Sequence, residues 1–123
     1  MDALGRHFLM ELEDCDERIL DDLDALKEAL LEAAGEAGAT VIGESFHRFS
    51  PHGISGVVVI AESHLFIHTW PEYGYAAADI FTCGTTVQPE KAVSRLIEKL
   101  GARKHSVVAM ERGKHVLERV RSA

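Results

Sequence analysis

The chain is 123 residues long, 46% hydrophobic and 27% charged, which fits one globular domain and excludes disorder, collagen-like sequence and coiled coil. Thirteen Lys and Arg stand against twenty Asp and Glu, a formal net charge of −7, which argues against a nucleic-acid groove with its basic footprint. No apolar run approaches the ~20 residues that span a bilayer, and the start lacks a basic stretch followed by an apolar core. A cytoplasmic protein without signal peptide or membrane segment is therefore expected, with Cys15 and Cys83 as free thiols.

In residues 7–12, Phe8, Met10 and Leu12 share one side at period two, the mark of a half-buried strand. Asp14-Cys15-Asp16 supplies caps for a helix whose apolar stripe runs Ile19, Leu23, Leu26, Leu30, Ala33 and Ala37. Residues 40–49 read as a second strand, Ser50-Pro51-His52-Gly53 as a turn, and the Val- and Ile-rich residues 54–61 as a third strand. Residues 62–70 have β-like content and end at a break, Pro71-Glu72-Tyr73-Gly74. Another strand is predicted over 75–83, and Pro89 opens a second helix striped by Ala92, Val93, Leu96, Ile97 and Leu100. Residues 105–111 give a last strand, and the basic tail from Arg112 is ambiguous. The order β-α-β-β-β-β-α-β with tight turns predicts an α+β two-layer sandwich: a largely antiparallel sheet with two helices on one face.

Chemistry-bearing residues crowd between Ser55 and Cys83. A core would hold fewer polar groups, since each buried one needs a partner, so a site is expected there. Glu62, His64 and His68 invite a metal reading, but on a strand the two histidines stand roughly 13 Å apart, too far for one ion. No metal is predicted. Cys83 with a single histidine is more simply a packed thiol, and the glycines form no phosphate loop.

The run Glu62-Ser63-His64-Leu65-Phe66-Ile67-His68-Thr69-Trp70-Pro71-Glu72-Tyr73-Gly74-Tyr75-Ala76-Ala77, followed by Asp79-Ile80-Phe81-Thr82-Cys83-Gly84, resembles the prokaryotic S-adenosylmethionine decarboxylases. So do Leu4-Gly5-Arg6-His7, Gly38-Ala39-Thr40, Phe46-His47-Arg48-Phe49 and Gly53-Ile54-Ser55-Gly56-Val57-Val58-Val59, and the likeness extends to about Arg112. The resemblance implies one domain over residues 1–123 that cuts itself between Glu62 and Ser63, leaving a β chain (1–62) and an α chain (63–123). By the same resemblance, the Ser63 hydroxyl is implied to attack the preceding carbonyl, elimination to follow, and the new head of the α chain to become a pyruvoyl cofactor. Ser55 is implied to stabilise the oxyanion of that shift and His68 to promote the elimination.

In turnover, the resemblance implies that the pyruvoyl group forms a Schiff base with the substrate amine and accepts the electron pair left by carbon dioxide. Cys83 matches the proton donor, a role that an S–H group can fill. Phe49 and Trp70 match an aromatic pair stacking on adenine, and Glu72 a carboxylate for the ribose hydroxyls. Leu65 and Glu62 are expected as pocket neighbours. The implied product is the aminopropyl donor of spermidine synthesis, and the implied assembly is a homodimer with shared active sites, inactive as a monomer. Phe66 stands where relatives carry a small hydroxyl residue, and Leu12-Glu13 where they carry aromatics. Pyruvoyl-dependent decarboxylases of arginine or ornithine would keep the same catalytic set and form the alternative substrate class. An unprocessed ligand- or partner-binding homologue is the alternative of another class; intact Ser55, Ser63, His68 and Cys83 count against it.

Overall fold

The computed structural model describes residues 2–122. Six strands build one sheet: β1 (Gly5–Glu13), β2 (Val41–Arg48), β3 (Ile54–Ile60), β4 (Ser63–Trp70), β5 (Tyr75–Cys83) and β6 (Lys104–Arg112). They lie in the order β2-β3-β4-β5-β1-β6, and every neighbouring pair is antiparallel. The short turns after β2, β3 and β4 make a meander, as their spacing predicts. β1 then pairs with the free side of β5, and β6 closes on β1.

The expected two-layer sandwich is present, with differences in its helices. The stripe read as one helix is two: α1 (Glu17–Leu20) and α2 (Leu23–Glu36). The break has a local cause, because Asp22 is itself a cap, its carboxylate accepting from Ala25 N at 3.1 Å. Asp16 caps α1 in the same way, from Arg18 N at 3.0 Å. α3 (Pro89–Leu100) starts on its proline and ends at Gly101 in the left-handed region. The ambiguous tail forms α4 (Lys114–Ser122), none of whose residues is buried.

α2 and α3 cover one face of the sheet. Leu26, Leu30 and Ala33 of α2 and Ala92, Leu96 and Leu100 of α3 meet Phe8, Met10, Leu12, Val58, Leu65, Ile67 and Ile80 in a continuous core. At ~1.5–3 kcal/mol for each large apolar side chain buried, this layer is the main source of stability. Thr69, with Thr82 one of two buried polar residues among those described, donates to Leu20 O at 2.7 Å and accepts from Ile54 N at 3.0 Å. It ties α1 to the β3–β4 end of the sheet.

Strand alternation leaves the other face without a covering layer. Three rows of directly paired residues cross it. One runs His47, Ser55, His68, Ala77, Glu11, Ser106. The next runs Ser45, Val57, Phe66, Asp79, Leu9, Val108. The third runs Gly43, Val59, His64, Phe81, His7, Met110. Leu9, Val59, Phe66, Val108 and Met110 on this face are all exposed, an unusual amount of apolar surface to leave in water.

Candidate active site

The polar residues between 55 and 83 gather on this open face as two clusters at opposite ends of β4. At the start of β4, the turn Ala61-Glu62 joins β3 to β4 and Ile60 stands opposite Ser63. Hairpins this tight want a positive-φ residue in or beside the turn, usually glycine. No glycine is there, and the positive φ, +144°, falls on Ser63. Only one other non-glycine among the described residues, Asp14, has a positive φ. Such a backbone costs ~1–3 kcal/mol and persists where its surroundings over-determine it. The carbonyl of Glu62, just before Ser63, accepts from Cys83 N at 2.8 Å. The peptide bond between Glu62 and Ser63 is thus strained on one side and polarised on the other.

The Ser63 hydroxyl lies 3.3 Å from His64 Nδ1. Neighbours on a regular strand point to opposite faces; the irregular backbone at Ser63 lets these two meet. His64 Nε2 is 2.9 Å from Asp79 Oδ2, the same oxygen is 2.7 Å from His7 Nε2, and Arg112 donates to His7 Nδ1 at 2.8 Å. These groups sit on β4, β5, β1 and β6 in succession. His7, His64 and Asp79 each bring one donor atom within 4.8 Å of the others, yet the contacts of 2.7 and 2.9 Å have the length of N–H···O hydrogen bonds.

At the far end of β4, Ser55 Oγ and His68 Nδ1 are 2.5 Å apart. His68 lies between two aromatics, 5.5 Å from the Phe49 ring and 4.2 Å from Trp70, centre to centre. Trp70 stacks on Tyr75 at 5.2 Å. The Tyr75 hydroxyl donates to Glu11, and burial, followed by that bond, pushes its pKa up to about 12. Glu72 accepts from His52 Nε2 at 3.0 Å when that ring is protonated there, beside the turn that Asp21 holds by accepting from Gly53 N.

The residues singled out from the sequence therefore separate. Ser63 and Cys83 share the first cluster, and Ser55, His68, Phe49 and Trp70 the second, with Glu72 next to it. Ser63 and His68 are five residues apart on one strand, roughly 16 Å. Leu65 departs from its expectation: its side chain is buried in the core on the helix side, so a pocket on the open face meets only its backbone. Glu62 turns its carboxylate to Thr40 N, 3.1 Å away, as a brace for the start of β2. His64 and His68 do lie on a strand, the premise on which a shared ion is set aside.

From the sequence, His64 reads only as a metal ligand or as a partner for Cys83, and Asp79, His7, Arg112 and Tyr75 carry no role. The signal lies in the β4–β5 hairpin. Pairing Trp70 with Tyr75 across the Pro71–Gly74 turn puts Phe66 opposite Asp79, and His64 then falls diagonal to that carboxylate.

The chain is similar to known proteins in sequence and in fold. The family model described as S-adenosylmethionine decarboxylase matches residues 6–113. The S-adenosylmethionine decarboxylase proenzyme of Thermodesulfovibrio yellowstonii is 57% identical over 113 residues, covering 92% of this chain and 84% of that one. Its counterpart from Thermosipho melanesiensis is 56% identical over 115 residues, covering 94% and 88%. The crystal structure of the adenosylmethionine decarboxylase from Aquifex aeolicus VF5 superposes with a TM-score of 0.86 at 36% identity, covering 92% of this chain and 93% of that one. With sequence and fold matched over nearly their whole lengths, the chain belongs to the S-adenosylmethionine decarboxylase family.

Proposed function

We propose that this chain is a precursor that cuts itself between Glu62 and Ser63 and then decarboxylates S-adenosylmethionine with a pyruvoyl group made from Ser63. The observation that carries this reading is the bond itself: a serine at φ +144° whose preceding carbonyl is held by Cys83 N–H at 2.8 Å. Attack of the hydroxyl on that carbonyl gives an oxyanion where the N–H already donates, and collapse to an ester lets the backbone leave its strained conformation. Elimination then frees Glu62 as a new C-terminal main-chain carboxylate, and hydrolysis of the dehydroalanine left at position 63, with loss of ammonia, gives the ketone.

Once formed, the pyruvoyl carbonyl supplies the electron sink that decarboxylation needs. The chain's own groups do the rest. The Cys83 thiol, exposed on the strand beside position 63, delivers a proton to the substrate's α carbon. Phe49 and Trp70 hold the adenine ring, Glu72 accepts from the ribose hydroxyls, and Ser55 with His68 serves the cleavage.

These two sets cannot meet within one chain. A second copy, packed on the open face by a two-fold axis that lies between the sheets and crosses the strands, sets the Ser63 end of one protomer over the Trp70 end of the other. Leu9, Phe66, Val108 and Met110 are then buried together, which removes the exposed apolar surface. Inactive Ser63→Ala chains mixed during refolding with inactive Phe49→Ala chains should regain about a quarter of wild-type activity, since half the dimers carry one intact site.

The activity is tested by release of carbon dioxide from carboxyl-labelled S-adenosylmethionine, with arginine and ornithine alongside. Turnover of the nucleoside substrate alone, by protein in two fragments that reacts with hydrazines, is expected. Turnover by an uncut chain refutes the scheme, and preference for arginine or ornithine refutes the substrate.

A further inference from the structure

The proposed cleavage needs a base to take the proton from Ser63, and the chain of hydrogen bonds behind that residue runs in one direction only. Arg112 carries donors and no acceptor, so His7 Nδ1 must be the accepting nitrogen at their 2.8 Å contact. A neutral His7 then has its proton on Nε2 and donates it to Asp79 Oδ2. The ionised carboxylate only accepts, so His64 must donate to it from Nε2. That leaves His64 Nδ1 as a bare lone pair, 3.3 Å from the Ser63 hydroxyl.

We propose that His64 is the base for the acyl shift, and that Asp79, backed by His7 and Arg112, is a positioning residue that fixes its tautomer. This rests on the reading that Ser63 starts the cleavage. The step is an isomerisation and needs no co-reactant. The Ser63 Oγ–carbon bond forms as the hydroxyl proton passes to His64 Nδ1, and the carbonyl electron pair moves onto the oxygen facing Cys83 N–H. The carbon–nitrogen bond then breaks, the proton leaves His64 for the departing amine, and the carbonyl re-forms as an ester.

Within one chain it is His64 that stands beside Ser63, while His68 is bonded to Ser55 at the other end of the strand and serves the later elimination. The role also requires that no metal ion occupy the cluster during cleavage. An ion on Nε2 of His64 would put the imidazole proton on Nδ1 and remove the base.

The test follows cleavage of the full-length precursor, made by cell-free translation, on denaturing gels. His64→Ala should cleave about 100-fold or more slowly, the usual worth of a general base, and tens of millimolar imidazole should restore part of the rate. His64→Gln, which keeps a polar side chain of similar length, should fold and cleave as slowly. Hydroxylamine should not release fragments from either variant, because no ester forms; His68→Ala should accumulate ester and be cut by it. Asp79→Ala should slow cleavage in the wild-type background and add nothing to His64→Ala. A chelator should leave the wild-type rate unchanged.

The inference is overturned if folded His64→Gln cleaves at the wild-type rate. Failure of imidazole to rescue His64→Ala, ester accumulation in that variant, or loss of cleavage with chelator each does the same. Wild-type precursor that never cleaves refutes the Ser63 reading itself, a result distinct from all of these.

Discussion

Two substitutions at Ser63 separate strain from chemistry. Ser63→Ala and Ser63→Gly both lack the hydroxyl, so both remain uncut, and their stabilities can be compared as intact chains. Alanine keeps a Cβ at φ +144° and so keeps the cost of ~1–3 kcal/mol, which glycine abolishes. Glycine gives back ~0.5–1 kcal/mol through its greater freedom in the unfolded chain. The difference should favour glycine by about 1 kcal/mol, the reverse of the usual order on a strand. For a domain of this size that is about 3–5 °C in Tm. Calorimetry of the two variants at equal pH and protein concentration measures it. An alanine variant that melts at or above the glycine variant would show that the backbone at the cleavage point is unstrained. Strain relieved in the acyl shift speeds cleavage about tenfold for each ~1.4 kcal/mol expressed at the transition state, so the same measurement bounds its kinetic share.

Cys83→Ala should cleave at close to the wild-type rate, because the group that holds the Glu62 carbonyl is a backbone N–H, yet lose most of its turnover; equal loss in both assays would contradict this division. Phe66→Asp, at the middle of the open face, should give a folded monomer by sedimentation that lacks decarboxylase activity, and an active dimer would rule out packing on that face. Burial, with Asp14 nearby, raises the Cys15 pKa to about 11 from an ordinary 9.0. The folded state then binds the proton more tightly, so this contribution is complete below pH 9 and is lost as pH rises from 9 to 11. Thermal melts across that window should fall more steeply for wild type than for Cys15→Ala.

Local pattern carried most of the fold. Period-two alternation located β1, and turn residues located the hairpins, because in a meander each strand's partner is the next one along. The helix break at Asp22 was hidden because apolar spacing persists through it, while the cap that causes it is a single side chain. The tail's polar composition carried no burial pattern to fix its state, and it folds as a helix without a buried face. In the site, types and positions around Ser63 were legible from a long motif, but their separation was not. Which residues stand together depends on pairings such as His7 with Phe81 and His7 with Met110, set by strand order rather than by sequence distance. Leu65 shows a related limit: a motif names neighbours in the chain, while successive residues on a strand face opposite layers, and its side chain lies on the helix side.

Strand order also decides what would become of the protein once cut as proposed. Residues before the cleavage point supply β1, α1, α2, β2 and β3, and residues after it supply β4, β5, α3, β6 and α4. β1 lies between β5 and β6, and β3 pairs with β4, so three of the five strand seams join one fragment to the other. α2 and α3, one from each fragment, share the core beneath the sheet. The break itself falls at the end of a two-residue turn and touches only the terminal rung of the ladder, Ile60 with Ser63, while it frees position 63 from its positive φ. Cleavage should therefore leave a single cooperative unit. Native gel filtration of cut protein should show both fragments in one peak, calorimetry should give one transition, and separation should require denaturant. Fragments that part under native conditions would mean that the seams between β1 and its neighbours do not hold the halves together.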